Sequence, residues 1–439
     1  MKPTWYENAC FYHINPLTFC NAPLRQDNFQ AYRLQNIELW LDHLKGMGFT
    51  ALYLGPVFDS LSHGYDTSDY YRVDSRLGDN QSLVNLVHAC HQKDIKVILD
   101  GVFNHTGREF FAFKDIQKQG EASAYLHWYR NVKVNGNGFT YENWRGCEEL
   151  AVLDLTKQEV RDYLLDVAQF WKETFHIDGI RLDCADSLDL GFLKELHTRM
   201  KTLDNDFFLL GEVIHGDYRR QNNKTMLDSV TNYELHKALY SSHNDHNLFE
   251  LAFCANREFG PEGLYRDLSL YTFVDNHDVD RLASKLEDKR HLFNIYTLLF
   301  TLRGIPSVYY GSEWGIEGKK EGPDDSKLRP AVQIEDIAKG NQDLLSHIHG
   351  LITLRKTHAA LVFGKYEQLY LTSNQFAFKR ETEKESILVC TNAENKQSVF
   401  TLSAEKDYRY LYGLDCSFQK KGQLLEITLG PFQTLILAC

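Results

Sequence analysis

The run Gly179-Ile-Arg181-Leu-Asp183 sets a guanidinium and a carboxylate two residues apart in a stretch of strand character. Alternate strand residues share a face, so Ile180 and Leu182 would pack outward while Arg181 and Asp183 point inward. A guanidinium keeps a neighbouring carboxylate ionised. An ionised, oriented carboxylate is what attack at a sugar's anomeric carbon requires, although a buried structural ion pair would leave the same signature. In Leu210-Gly-Glu212-Val213 a carboxylate ends an apolar run with no cation beside it in sequence. Desolvation without a counter-charge raises a pKa, which suits a general acid. Asp100-Gly-Val-Phe-Asn104-His105 and Phe273-Val-Asp275-Asn276-His277-Asp278 complete the set. Asp100 and Asn104 are expected to face inward, and a buried Asp100 needs a partner. His277 and Asp278 have the chemistry to hold hydroxyls and a developing cation; a polar turn with an Asx cap is the alternative.

These residues must be carried by something rigid, and the chain offers a β–α alternation. Apolar runs of strand length occupy 51–58, 96–103, 179–183, 207–213, 271–274 and 305–310, with further ones near 10–14 and 228–233. Between them lie helical stripes: Ile37, Leu41, Leu44 and Met47, stopped by Gly48; Val160, Leu164, Val167 and Trp171; Leu193, Leu196, Met200 and Leu203. Eight strands in this order predict an α/β fold, a (β/α)8 barrel, whose chemistry sits at the carboxyl ends of the strands. The expected layout is barrel over 1–103, an inserted aromatic-rich subdomain over 104–150, barrel again over 151–360, and an antiparallel C-terminal β-sandwich over 361–439. Aldolases on such barrels need a Schiff-base lysine, and metal-dependent hydrolases a His/Asp cluster; neither stands at a strand end.

Composition narrows the partners. A net charge of −12 argues against nucleic-acid and anionic-membrane binding. No apolar run has the length of a membrane helix, and the amino terminus lacks a signal-peptide core. Nine cysteines, scattered without a CxxC pair, read as reduced thiols and place the chain in the cytoplasm. The pairs His88/His91 and His243/His246 read as surface or packing residues rather than ligands.

With these segments in order, the sequence resembles the α-amylase superfamily of glycoside hydrolases. DGVFNH at 100–105, GIRLDCAD at 179–186, GEV at 211–213 and FVDNHD at 273–278 are similar to its four best-known motifs, and 62–79 and 304–313 resemble further signatures. The resemblance implies retaining cleavage of α-glucosidic bonds in maltodextrins, starch fragments or cyclodextrins. It implies Asp183 as nucleophile, Glu212 as general acid/base and Asp278 as the third carboxylate. It further implies that Arg181 orients the nucleophile, that His105 and His277 bind hydroxyls, that Asp100 supports them and that Tyr65 stacks on the sugar. RLDCADSLD and GEVIH are nearest the neopullulanase/cyclomaltodextrinase branch, with Ile214 where that branch usually has an aromatic and without its amino-terminal domain. No cofactor is implied as required. Many calcium-binding relatives carry Lys-His where this chain has Asp186-Ser187, which argues against calcium, although Asn104 keeps a ligand's chemistry. The same residues would serve a transglycosylase, and a catalytically silent glucan-binding protein is the reading from another class.

Overall fold

The computed structural model describes residues 4–439 apart from Asn28, Asn137 and Pro323. Eight strands, β1 Phe11–Ile14, β2 Ala51–Leu54, β3 Lys96–Gly101, β4 Gly179–Leu182, β5 Phe208–Gly211, β6 Ser229–Val230, β7 Tyr271–Phe273 and β8 Ile305–Tyr309, lie in one sheet in chain order. All pair in parallel, and β8 pairs with β1 through Phe11 and Ser307. The ring closes between β6 and β7, where Thr231 bridges Tyr271 and the Asn232 amide donates to the Tyr271 carbonyl at 2.8 Å. Several strands are shorter than the apolar runs: β4 ends just before Asp183 and β5 just before Glu212, whereas Asp100 lies within β3.

Helices α1 Leu41–Met47, α2 Asn80–Gln92, α3 Gln158–Phe175, α4 Leu190–Leu203, α5 Tyr233–Asn244, α6 Leu248–Phe259, α7 His291–Thr301 and α8 Gln342–Thr357 wrap the barrel. Their ends follow local chemistry. Gly48 closes α1 at φ 93°, Asp79 and Ser82 form a capping box at α2, and Asn232 caps α5 through the Leu235 amide. No long helix joins β5 to β6; a single 3-10 turn, Tyr218–Arg220, does, and α5 and α6 both follow β6.

Strand alternation divides the core in two. Phe11, Tyr53, Ile98, Phe208, Leu210, Phe273 and Ile305 fill the barrel, and Leu52, Leu54, Val97, Leu99, Ile180, Leu182 and Leu209 pack against the helices. Between β3 and α3 the chain builds a helix, Phe111–Gln119, and a small antiparallel sheet that pairs His105–Thr106 with Cys147–Val152. Beyond α8 a five-stranded and a three-stranded antiparallel sheet pack face to face over Leu388, Phe400, Ile427 and Leu435. The buried Arg380 ties this sandwich to the barrel by donating to the Thr301 carbonyl at 2.6 Å.

Gly179 shows how tightly β4 is seated, since an added Cβ would stand 2.5 Å from the Phe208 carbonyl oxygen and 2.9 Å from Ile98 Cγ2. Gly179→Ala is expected to destabilise the fold by about 1–3 kcal/mol. Denaturant unfolding checks this; an unchanged midpoint would mean the β4–β5 contact is loose.

Candidate active site

The polar residues gather at the carboxyl ends of the strands around one side chain. Arg181, buried inside the barrel, donates from Nη1 to Asp100 Oδ1 at 2.8 Å and to Asp183 Oδ1 at 3.0 Å, while its Nη2 lies 2.9 Å from Glu212 Oε1. A guanidinium has five N–H donors in a rigid fork, so it can fix three acids at once. One positive charge among three carboxylates leaves an excess of negative charge. Burial pushes Glu212 up to about 7; Arg181 opposes the shift, and the charges of Asp183 and Asp278 add to it. Sequence spacing gave Glu212 no cation. The barrel supplies Arg181, and burial still prevails. Burial also raises Asp100, but Arg181, Tyr53 at 2.7 Å and Tyr65 at 3.4 Å all donate to it.

Glu212 has three further determinants. Its Oε1 accepts from the Tyr233 hydroxyl at 3.3 Å and its Oε2 from the Cys184 amide at 3.1 Å; Asn276 in turn donates to Tyr233 at 3.1 Å. The Cys184 thiol points the other way, 3.0 Å from Asp183 Oδ2. One oxygen each of Asp183 and Glu212 lie within 4.8 Å of one another.

Asp278 stands across the opening, with 42% of its side chain exposed. Desolvation by the cleft walls works against its ionisation, but His277 at 3.1 Å and Arg329 at 3.0 Å, with help from Arg181, hold its carboxyl well below the usual range. Arg329 also donates to the His277 carbonyl at 2.8 Å. The Tyr65 ring lies parallel to His277, 6° between planes, with its hydroxyl 2.5 Å from His277 Nε2. The Tyr65 loop is pinned from behind, where buried Arg76 donates to the Ser62 carbonyl at 2.7 Å and Asp66 accepts from the Ser62 amide at 2.9 Å. Asp275 faces away from the opening and fastens β7 to β8 by accepting from Ser312 at 2.9 Å and from the Leu282 amide at 2.7 Å.

His105 lies beside the plane of Trp144, and burial lowers its pKa. Among the described residues, the buried His105 Nε2 and His277 Nδ1 have no protein hydrogen-bond partner, and His105 lines the cleft. Asn104 does not point into the opening as alternation from Asp100 implied; β3 ends at Gly101, and the Asn104 side chain turns to the His105 ring at 3.2 Å. The resulting cleft of about 890 Å3 is lined by Asp183, Glu212, Asp278, Tyr65, His105 and Trp144, and by Ile214, which is room for several sugar rings.

A family model described as "Alpha amylase, catalytic domain" matches residues 25–342. The chain belongs to the α-amylase family of glycoside hydrolases. It is 32% identical over 432 residues to a cyclomaltodextrinase from Thermoanaerobacter pseudethanolicus, covering 91% of this chain and 73% of that protein. It superposes on the native debranching enzyme of Nostoc punctiforme with a TM-score of 0.87 at 29% identity over 99% of each chain. The cyclic α-maltosyl-(1→6)-maltose hydrolase of Arthrobacter globiformis gives 0.84 at 26% identity, covering 100% of this chain and 99% of that one.

Some members of the family bind calcium, and the donor sets of this chain test the fit. Asn104 is turned to His105. The metal-ligating side chains that converge among the described residues are Asp183, Cys184 and Glu212, whose two carboxylates already face the guanidinium of Arg181. That set does not fit a calcium ion, which takes 6–8 oxygen ligands. Of the other tempting pairs, His91 binds Asp178 at 2.7 Å, His88 meets Gln92 at 2.9 Å, and His243 is a core residue against the Leu239 carbonyl.

Three neighbours of the acids escape sequence reading. Arg329 sits in a loop with no periodicity, Tyr233 looks like an ordinary first residue of a helix, and Cys184 looks like a small hydrophobe. Trp144 reaches the cleft, whereas Trp128 is 7% exposed and packs within the insertion against Phe111 and Tyr125. Arg329→Met removes a cation from Asp278, so the Asp278 carboxyl must rise toward its ordinary range. We expect kcat/KM on maltoheptaose to fall about 10–100-fold, with the acid limb of its pH profile moved to higher pH. An unmoved limb would show that Arg329 only packs.

Proposed function

We propose that this enzyme is a retaining hydrolase of α-glucosidic, mainly α-1,4, bonds in maltodextrins and related α-glucans. The observation that carries the reading is the pair of acids. Retaining enzymes hold their two carboxyl groups about 5–5.5 Å apart, and inverting enzymes about 6.5–9.5 Å. One oxygen of Asp183 and one of Glu212 lie within 4.8 Å of each other, a close approach that supports the retaining class.

The roles follow from the environments. Glu212 Oε1 faces two donors, Arg181 and Tyr233, and Oε2 faces one, the Cys184 amide, so the proton belongs on Oε2. From there it passes to the glycosidic oxygen as that oxygen leaves the anomeric carbon. Asp183, fixed through Oδ1 by Arg181, attacks the same carbon and forms a covalent glycosyl ester. Asp278, held ionised, faces the positive charge that develops on the ring. His105 and His277 bind hydroxyls of the reacting sugar, and Tyr65 offers its ring face. Glu212, now a base, takes a proton from water, whose oxygen opens the ester and restores both acids. No step needs a cofactor, and we read the activity as independent of calcium. The compared proteins, named for cyclomaltodextrin and α-1,6-linked substrates, support an α-glucan as the partner. No described helix is long and apolar enough to cross a membrane, and nine free cysteines favour a cytoplasmic place.

The test is incubation with maltoheptaose, β-cyclodextrin and pullulan, with products resolved by chromatography. Shorter products that persist with chelator and fall at least about 10³-fold in Asp183→Asn are expected. Longer products would reassign the enzyme as a transglycosylase, and no turnover would refute the reading. Because Glu212 must be protonated to donate, kcat/KM should decline above an alkaline limb near pH 7. A limb with no component near 7 would remove Glu212 from the acid role.

A further inference from the structure

The wall of the cleft beyond Glu212 has features that a neutral glucan does not need. On α5, Tyr233, His236 and Tyr240 form a ladder along one face, with ring centroids 6.2 and 5.3 Å apart, leading away from the acid. The ladder ends at Lys285, whose ammonium sits 4.2 Å from the centre of the Tyr240 ring. Lys285 is largely enclosed, yet it has no hydrogen bond or ion pair to a carboxylate among the described residues. The acids it senses, Asp280 and Asp275, stand beyond ion-pair range. Asp275 is committed to Ser312 and the Leu282 amide.

A second cation, the exposed Lys320, lines the same cleft. The segment carrying Lys320 is strapped to the short helix Leu282–Lys285: the Gly318 amide donates to Ser284 Oγ at 2.8 Å, the Arg281 amide donates to the Gly318 carbonyl at 3.0 Å, and the Lys320 amide donates to Asp280 at 2.8 Å. Several nearby acids are already matched, Glu317 with Lys289, Glu321 with Lys327, Asp325 with Arg329 and Glu250 with Lys237, and Asp280 is engaged by the Lys320 amide. Among the described residues neither Lys285 nor Lys320 forms an ion pair, and both line a cleft of a protein whose net charge is −12. An enclosed cation held over a ring and lacking a carboxylate is costly unless a ligand supplies the anion.

We propose that this end of the cleft is an anion subsite, built by Lys285 and Lys320 at the end of the Tyr233–His236–Tyr240 ladder, for a phosphomonoester carried on a sugar. The proposal rests on the α-glucan reading and names a substrate class for the same cleft. The phosphate can arrive on the oligosaccharide that is cleaved or on a separate sugar phosphate. The ladder meets the sugar rings, and the two ammonium groups meet the phosphate oxygens.

The experiment compares kcat/KM for maltotetraose and for maltotetraose bearing a 6-phosphate at either end, in the wild type, Lys285→Met, Lys320→Met and Lys285→Arg. A parallel calorimetric arm titrates Asp183→Asn with the same sugars and with glucose 6-phosphate. We expect a preference of about tenfold or more for one phosphorylated form. That preference should collapse toward unity in either methionine variant, survive in Lys285→Arg and shrink with added salt. Tight binding of glucose 6-phosphate alone would assign the site to a separate sugar phosphate, also in keeping with an anion subsite. Equal or poorer handling of both phosphorylated tetraoses, with no binding of glucose 6-phosphate, overturns the proposal even where neutral maltotetraose is cleaved. Absence of cleavage of every sugar would instead refute the hydrolase reading, and the calorimetric preference then still decides the subsite.

Discussion

The guanidinium of Arg181 is the interaction on which the rest of the site depends. A charged side chain inside a barrel is tolerable only when fully matched, and Arg181 is matched by Asp100, Asp183 and Glu212 from three neighbouring strands. The arrangement fixes more than position. With one positive charge shared by three acids, full ionisation is disfavoured, and the deficit is relieved at Glu212, the acid that burial lifts to about 7. The cation that keeps Asp183 in place thus leaves its neighbour able to hold a proton. Different environments for adjacent acids are how one site performs nucleophilic and acid/base chemistry at one pH.

The fold supplies this hub by strand alternation. Ile180 and Leu182 anchor β4 to the helices, so Arg181 must face inward, and parallel registers bring Arg181 level with Asp100 on one side and Leu210 on the other. Asp275 fastens β7 to β8, and the Arg76 cluster pins the Tyr65 loop, so the rim of the cleft is held by hydrogen bonds that never touch a substrate. Asp278 differs from the other acids. It is open to the cleft and is governed by His277 and Arg329.

Much of this was legible in the sequence, because the periodicities that form strands also decide which residues face inward. The eight strands, the stop of α1 at Gly48 and the shared inward face of Arg181 and Asp183 followed from spacing alone. What spacing could not show was how separate segments meet. The contact of Arg181 with Glu212 depends on the side-by-side register of β4 and β5, and Arg329 reaches Asp278 across 51 residues from a loop without pattern. The turn of Asn104 toward His105 was hidden because β3 ends two residues earlier than its apolar run suggests. The missing helix between β5 and β6 was likewise not foreseen.

The central claim is that the Arg181-anchored Asp183 forms a covalent bond to the sugar. A slow-turnover 5-fluoro α-glycosyl fluoride traps such an ester, and mass spectrometry of the digested protein locates it. We predict the label on Asp183, with its accumulation lost in Asp183→Asn. A label on another residue, or turnover that releases the inverted anomer without any trapped ester, would contradict the account.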